Sequence, residues 1–298
     1  MSDPQLPAVI GERRTLINLA YRLLGSLAEA EDVVQETYAR WYTLSEQQRS
    51  EVATPGAWMT RVAGRICLDL LGSARVRRER YIGEWIPEPI PDRSEWLDSS
   101  VPEDPADRIT LDESISMAFL VVLDSMTPAE RVALILHDVF RYSFAEVAEI
   151  VGRTPAACRQ LASSARRRVE TSRRGPSSTG HAEVVREFKC AWQAKNIEAL
   201  IGLLDPAATA TADSGGLAPA FRDPIHGGEQ IARAWAEIPH NSRVALLERT
   251  VNGRPGLVAQ LDGTIISVYA FDIAESRITR IWAIRNPEKL RPWRSSSA

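Results

Sequence analysis

The chain has 298 residues, 44% of them hydrophobic and 25% charged, with a formal net charge of −3. That hydrophobic fraction lets each of two or three domains bury a core. No apolar run approaches the length of a membrane span, and the start Met1-Ser-Asp-Pro-Gln-Leu-Pro lacks the basic and apolar stretches of a signal peptide, so a cytosolic protein is expected.

Residues 12–24 place Leu16, Leu19, Ala20, Leu23 and Leu24 at helical spacing, and Gly25 ends that helix. Ser26-Leu-Ala-Glu29 is a capping box that starts a second helix. Its inner face is Ala30, Val33, Val34, Thr37, Tyr38 and Trp41; its outer face shows Glu31, Asp32, Gln35 and Glu36. Thr54-Pro55 opens a third helix with Met59, Val62, Ala63, Ile66 and Leu70 inward, while Arg61, Arg65 and Asp69 follow at spacing four on another face. An all-helical domain over 8–82 is expected.

Residues 83–111 are acidic and rich in proline, which removes donors and fixes φ, so they read as a linker. Trp85 and Trp96 are out of place in a solvated linker and imply that it docks on something. A second helical domain over 112–172 is written in caps: Thr127-Pro-Ala-Glu130, Ser143-Phe-Ala-Glu146 and Thr154-Pro155. The tight turn Val151-Gly152-Arg153 joins the last two helices into a helix-turn-helix. In its second helix Cys158, Leu161, Ala162, Ala165 and Val169 form the core stripe. Ala156, Arg159, Gln160, Ser163 and Arg167 face outward, where arginine and glutamine can reach base edges. Thr154 and the Arg166–Arg168 cluster suit phosphates. Charge is segregated along the chain, basic around 61–80 and 153–174 and acidic around 84–113, so the negative total does not exclude DNA.

A second linker, 173–180, leads to an α+β domain over 181–293. One helix carries Val184, Val185, Phe188, Ala191 and Trp192, and another spans 231–238. Strands are expected at 242–251, 257–261, 264–271 and 277–284, with turns at Asn252-Gly253 and Asp262-Gly263. Asp213, Asp223 and His226 are the acid–base candidates, but each also reads as a turn or loop residue. Cys67, Cys158 and Cys190 form no CxxC pair, so no disulfide framework or zinc site is indicated, and each is expected to be a small buried residue. No cofactor or metal is expected.

The stretch from Tyr21 to Glu36 and the capped helix-turn-helix resemble the bacterial RNA polymerase sigma factors of the extracytoplasmic-function (ECF) class. The resemblance implies a multidomain protein: two all-α sigma domains, regions 2 and 4, followed by an α+β SnoaL-like cone. It implies that Asp32, Gln35 and Glu36 grip the β′ clamp helices of core RNA polymerase. It places Trp58, Arg61 and Arg65 on the promoter −10 element, and Thr154, Ala156, Arg159, Gln160, Ser163, Arg166 and Arg167 on the −35 element. Trp85-Ile-Pro-Glu-Pro89, Asp213-Ser-Gly-Gly-Leu217 and Asn286-Pro-Glu-Lys-Leu290 are similar to motifs of the group that carries the extra domain. Leu217 stands where that group has lysine. A regulatory contact is therefore expected among Trp85, Pro87, Glu88, Pro89, Asp213, Gly215, Gly216, Asn286 and Pro287, acting in cis with no separate anti-sigma factor required. Two readings compete: a freestanding ligand-sensing DNA-binding regulator, and a SnoaL-type enzyme fused to a DNA module.

Overall fold

The computed structural model describes residues 11–78, 81–91, 113–172, 180–238 and 243–294, and these divide into two units. The basic cluster at Arg75, Arg77, Arg78 and Arg80, the linker residues 92–111 with Trp96, and the second linker through 179 lie outside the described side chains.

The first unit is helical. α1 (Arg13–Leu24) stops at Gly25, whose φ of 71° turns its N–H back to the Tyr21 carbonyl. α2 (Leu27–Thr43) starts under the Ser26 cap. A short α3 (Glu46–Glu51), not expected from periodicity, carries a full capping box between Ser45 and Gln48. α4 spans Pro55–Arg78. Leu16, Leu19, Ala20, Leu23, Val33, Val34, Trp41, Met59 and Ala63 are buried together, as the spacing predicts, whereas Tyr38, Val62, Ile66 and Leu70 are only half-buried.

After a 3₁₀ turn at Glu113–Ile115 come α5 (Met117–Asp124) and α6 (Pro128–Leu134), the latter running into a π turn at Ile135–Val139. α7 (Phe144–Val151) and α8 (Pro155–Ser172) follow. The Thr127–Glu130 and Ser143–Glu146 boxes form with both bonds, and Thr154 Oγ1 accepts from Ala157 N at 3.2 Å. Gly152, at φ 70°, ends α7 and sets up the turn into α8.

The α1–α4 and α6–α8 layers are joined through buried arginines. Arg131 donates to the Leu23 carbonyl (2.9 Å), the Leu123 carbonyl (2.5 Å) and Asp124 (2.7 Å), so its guanidinium satisfies the open C-terminal ends of α1 and α5. Arg22 donates to Ser114 Oγ at 2.7 Å and lies over the Phe140 ring.

The second unit holds α9 (His181–Gln193), α10 (Ile197–Leu203), β1 (Leu204–Asp213), β2 (Ile225–His226), α11 (Gly228–Glu237), β3 (Val244–Val251), β4 (Arg254–Leu261), β5 (Thr264–Ala274), β6 (Arg277–Ile284) and α12 (Arg291–Arg294). Residues 81–91 and 115–121 belong to it as well. The six strands run in the order β2-β1-β6-β5-β4-β3, all antiparallel except the β1–β6 pair. The expected hairpin turns are present, with positive φ at Asn252, Gly253, Asp262 and Gly263, as a two-residue turn between twisted strands requires.

Both faces of this sheet are covered. Tyr269 and Phe271 of β5 pack with Phe188, Trp192, Ile231 and Trp235 from the helices. Their neighbours Val268 and Ala270 point the other way, onto a second cluster with Ile86, Met117, Leu290 and Trp293. The cover on that second face is therefore the segment between the two helical layers plus the C-terminal turn. One expectation fails here: Cys190 is exposed, because the buried face of α9 passes through Val184, Val185, Phe188 and Ala191 and leaves position 190 outside it.

Arg131→Met should lower the unfolding free energy by about 3–5 kcal/mol, since it removes one partner of a buried ion pair and leaves two helix-end carbonyls unserved; urea titration followed by circular dichroism measures it.

Candidate functional site

On α2, Asp32, Gln35 and Glu36 are exposed, on the face opposite Val33, Val34 and Thr37, and Glu36 pairs with Arg40 on its own helix at 2.9 Å. This is an acidic, hydrogen-bonding ridge fitted to a basic partner. On α4, Trp58 is half-buried, edge-on against Trp41 with centroids 5.2 Å apart. Arg61 and Arg65 are exposed but engaged within the unit. Arg61 meets the Glu149 carboxylate at 2.7 Å and Arg65 donates to the Glu149 carbonyl at 2.7 Å, both on α7. A Cβ on Gly64 between them would lie 3.0 Å from Ile150, so the two helices touch along this line.

On α8, Cys158, Ala162, Ala165 and Val169 are buried, and Thr154, Ala156, Arg159, Gln160 and Arg167 are exposed. Ser163 is half-buried. Arg159 lies over the Phe144 ring at 5.2 Å, which itself stacks on His137. Arg166 is different: its Nε and Nη2 both bond the buried Asp138 carboxylate, at 2.6 and 2.5 Å, which pins the π turn to α8. Its fork is occupied in this arrangement, whereas Arg159, Gln160 and Arg167 stand exposed on the outer face of the helix.

The second unit contains a buried polar hub. Asp213, at the end of β1, is fully buried. Its Oδ1 accepts from the Tyr81 hydroxyl (2.5 Å) and from Gly215 N (3.2 Å). Its Oδ2 accepts from Ile86 N (2.9 Å) and from Lys289 Nζ (2.6 Å). Its carbonyl accepts from the backbone N–H of both Arg285 and Asn286. Lys289 also donates to the Ile86 carbonyl and sits over the Trp85 ring at 4.2 Å. Asn286 donates to the Tyr81 oxygen at 2.7 Å. Burial, and then the Asp213 carboxylate, hold the Tyr81 phenol well above its ordinary pKa, so it remains a donor.

Gly215 and Gly216, at φ 58° and 74°, make the turn below this hub, and a Cβ on either would press into Asn286 and Tyr81 or into Ile82 at about 3 Å or less. Downstream, Ile86, Pro87, Glu88, Pro89 and Ile90 are all buried; Trp293 Nε1 donates to the Pro89 carbonyl at 2.9 Å, and Pro91 bridges to Val251. Asn252, in the β3–β4 turn, accepts from Ile90 N at 3.0 Å through Oδ1 and donates to the Ile115 carbonyl at 2.9 Å through Nδ2. One side chain thus ties both ends of the segment that joins the helical layers.

Comparison with known proteins gives these surfaces a family. Residues 10–77 match the Sigma-70 region 2 family and residues 116–169 match Sigma-70, region 4. The chain is 36% identical to the ECF RNA polymerase sigma factor SigJ of Mycobacterium tuberculosis over 291 residues, covering 93% of this chain and 90% of that one. It is 34% identical to the probable ECF RNA polymerase sigma factor SigI of the same species, covering 98% and 97%. The crystal structure of M. tuberculosis SigJ superposes with a TM-score of 0.73 at 31% identity, covering 96% of this chain and 98% of that one.

The chain belongs to the ECF RNA polymerase sigma factors.

As such a factor it serves transcription initiation through core RNA polymerase and promoter DNA and is not an enzyme. The sheet unit of this sigma factor has the SnoaL-like fold. Its acid–base candidates divide accordingly: Asp223 and His226 are exposed, and Asp213 has its acceptor positions filled by the hub. Trp85, Asp213, Gly215, Gly216 and Asn286 come together, and Pro87, Glu88 and Pro89 are buried alongside; Pro287 is half-buried and takes no polar part. The sequence does not single out Tyr81, Lys289, Asn252 or Glu149. Lys289 lay inside the Asn286–Leu290 motif and supplies the cation at Asp213, while Leu217 is 60% exposed. Asn252 looked like a turn residue only. Glu149 faces the α4 arginines, and no local signal marks it. Among the described residues no helix is long and apolar enough to cross a membrane.

Two substitutions separate the hub from the tie. Asp213→Ala should cost about 3–5 kcal/mol by leaving Lys289 buried without its counter-charge. Asn252→Gly keeps the left-handed turn and should cost only about 1–3 kcal/mol for two lost hydrogen bonds. Denaturant unfolding gives the stabilities, and a red shift of tryptophan emission should report the release of Trp85 in Asp213→Ala.

Proposed function

We propose that this sigma factor reads promoters with α4 and α8, and that its SnoaL-like domain restrains those readers by holding both ends of the segment between them. The observation that carries the reading is the Asn252 side chain, bonded at once to Ile90, which follows region 2, and to Ile115, which precedes region 4. The −10 and −35 elements are separate sites on one duplex, so regions 2 and 4 must move apart to occupy both. A clamp on both ends of their connector opposes that movement.

In this reading Asp32, Gln35 and Glu36 meet the β′ clamp helices; Trp58, Arg61 and Arg65 meet the −10 element; and Thr154, Ala156, Arg159, Gln160, Ser163 and Arg167 meet the −35 element. Arg166 joins them at the cost of its pair with Asp138. The protein works where core polymerase is, in the cytoplasm, and the tethered domain takes the place of a separate anti-sigma factor.

The magnitudes rank the restraints. Arg61–Glu149 is half exposed on both sides, and such a pair contributes about 0.2–1 kcal/mol. It covers the arginines without locking them. The buried Arg131 and Arg22 contacts and the connector clamp are each worth more.

Run-off transcription with core polymerase tests the reading, comparing the full chain with a chain ending at Gly180. Output that differs several-fold supports restraint in cis; equal output from both removes it. Glu149→Ala should raise −10 DNA binding by the free chain about two- to fivefold, the range that an exposed pair allows; a fluorescence anisotropy titration measures it.

A further inference from the structure

The SnoaL-like domain has a half-open cavity of about 660 Å³ between the inner face of its sheet and helices α9 and α11. That volume is in the range of small-molecule sites. One side is aromatic. Trp192 meets Tyr269 edge-on at 5.2 Å and Trp235 at 6.3 Å, and Phe221, on the loop at the mouth, stacks on Trp235 at 5.9 Å. Phe221 is 40% exposed, unusual for a phenylalanine on a loop that has an aromatic partner.

The other side is polar and cationic. Arg285, just past the end of β6, lines the cavity with Ser267 and Tyr269, whose hydroxyls are hydrogen-bonded to each other. Arg285 donates from Nη1 to the Pro219 carbonyl, on the same mouth loop. Its Nε is buried with no acceptor, and no carboxylate pairs with its guanidinium among the described residues. The Trp235 indole N–H is likewise buried without an acceptor. Glu237 also lines the cavity but is exposed.

Arg285 is half-exposed, and its guanidinium is a permanent charge at the rim of a largely apolar chamber. A neutral apolar guest would gain nothing from it, and a cation would be repelled. An anion with a flat ring body would pair with the outer nitrogens of the guanidinium and stack against the aromatic wall.

We propose that this cavity is a binding site for an amphipathic organic anion, a fused- or linked-ring molecule bearing one carboxylate or sulfonate, with Arg285 as its charge partner. The proposal rests on the cavity alone and stands or falls independently of the restraint in cis.

Two probes that share a ring body test it on the full chain. Anilinonaphthalene sulfonate carries the negative charge; phenylnaphthylamine has the same rings without it. Titrations would follow energy transfer from the tryptophans to each probe, with circular dichroism melts to show that every variant is folded. The sulfonate should bind about tenfold tighter than the neutral probe, the size of one charge-assisted hydrogen bond. Arg285→Gln should abolish that preference while leaving the neutral probe unaffected. Arg285→Lys, which keeps the charge, should retain part of it. Ala234→Phe, which fills the chamber from α11, should weaken both probes at least tenfold. Equal affinities for the two probes in the unaltered chain would overturn the proposal. So would a sulfonate preference that persists in Arg285→Gln, or binding of both probes undiminished by Ala234→Phe.

Discussion

The carboxylate of Asp213, buried at the end of β1, is the constraint on which the rest of the second unit depends. An unpaired charge there would be prohibitive, and a single partner would leave lone pairs unserved. The chain supplies four donors from three distant stretches: Tyr81 and Ile86 from the connector, Gly215 from its own turn, and Lys289 from the C-terminal motif. Each stretch is thereby made obligatory to the others. Pulling residues 81–86 away would strip the buried Asp213–Lys289 pair of the Tyr81 and Ile86 donors and of the Ile86 carbonyl, so the connector is part of the folded domain rather than a tether laid over it. Apolar burial reinforces this, since Ile86 and Met117 complete the second core of the sheet. A fully buried isoleucine contributes about 1.5–3 kcal/mol.

Much of this architecture could be read from the residues. Capping boxes at Thr127 and Ser143 and the simple N-cap at Thr154 place three helices and the turn between two of them, because a cap is a local hydrogen-bond requirement that distant contacts rarely override. Asn-Gly and Asp-Gly mark the two tight hairpins for the same reason. β1 was missed because Leu204-Asp-Pro-Ala-Ala-Thr-Ala-Thr-Ala-Asp213 alternates alanine with small polar residues. Ala208, Ala210 and Ala212 do point inward, yet they carry little hydrophobic signal. The apolar residues of β5 mark it as a strand, and their nearly unbroken run from Ile265 to Phe271 is the pattern of a strand covered on both faces.

The site divides along the same line. Which arginines of α8 face outward follows from helical periodicity. That Arg166 is spent on Asp138, or that Arg61 and Arg65 rest on Glu149, depends on pairs 28 and 84 or more residues apart. Periodicity has no access to such distances. Asn252 is the clearest case. Its turn conformation is local and was anticipated; its two bonds to Ile90 and Ile115 are tertiary and were not. Trp85, out of place in a solvated linker, implies that the connector docks; the resemblance of the Trp85–Pro89 and Asn286–Leu290 motifs names the segments without the chemistry that joins them.

Under the proposed restraint in cis, the connector is clamped in the free protein and released when the sigma regions engage. Amide hydrogen exchange at Ile86 and Ile90 reads this directly, because both N–H groups donate to side chains of the SnoaL-like domain. Both amides should be strongly protected in the free chain and exchange fast once core polymerase and promoter DNA are bound. Equal protection in the free and engaged states, or none in the free chain, would contradict it.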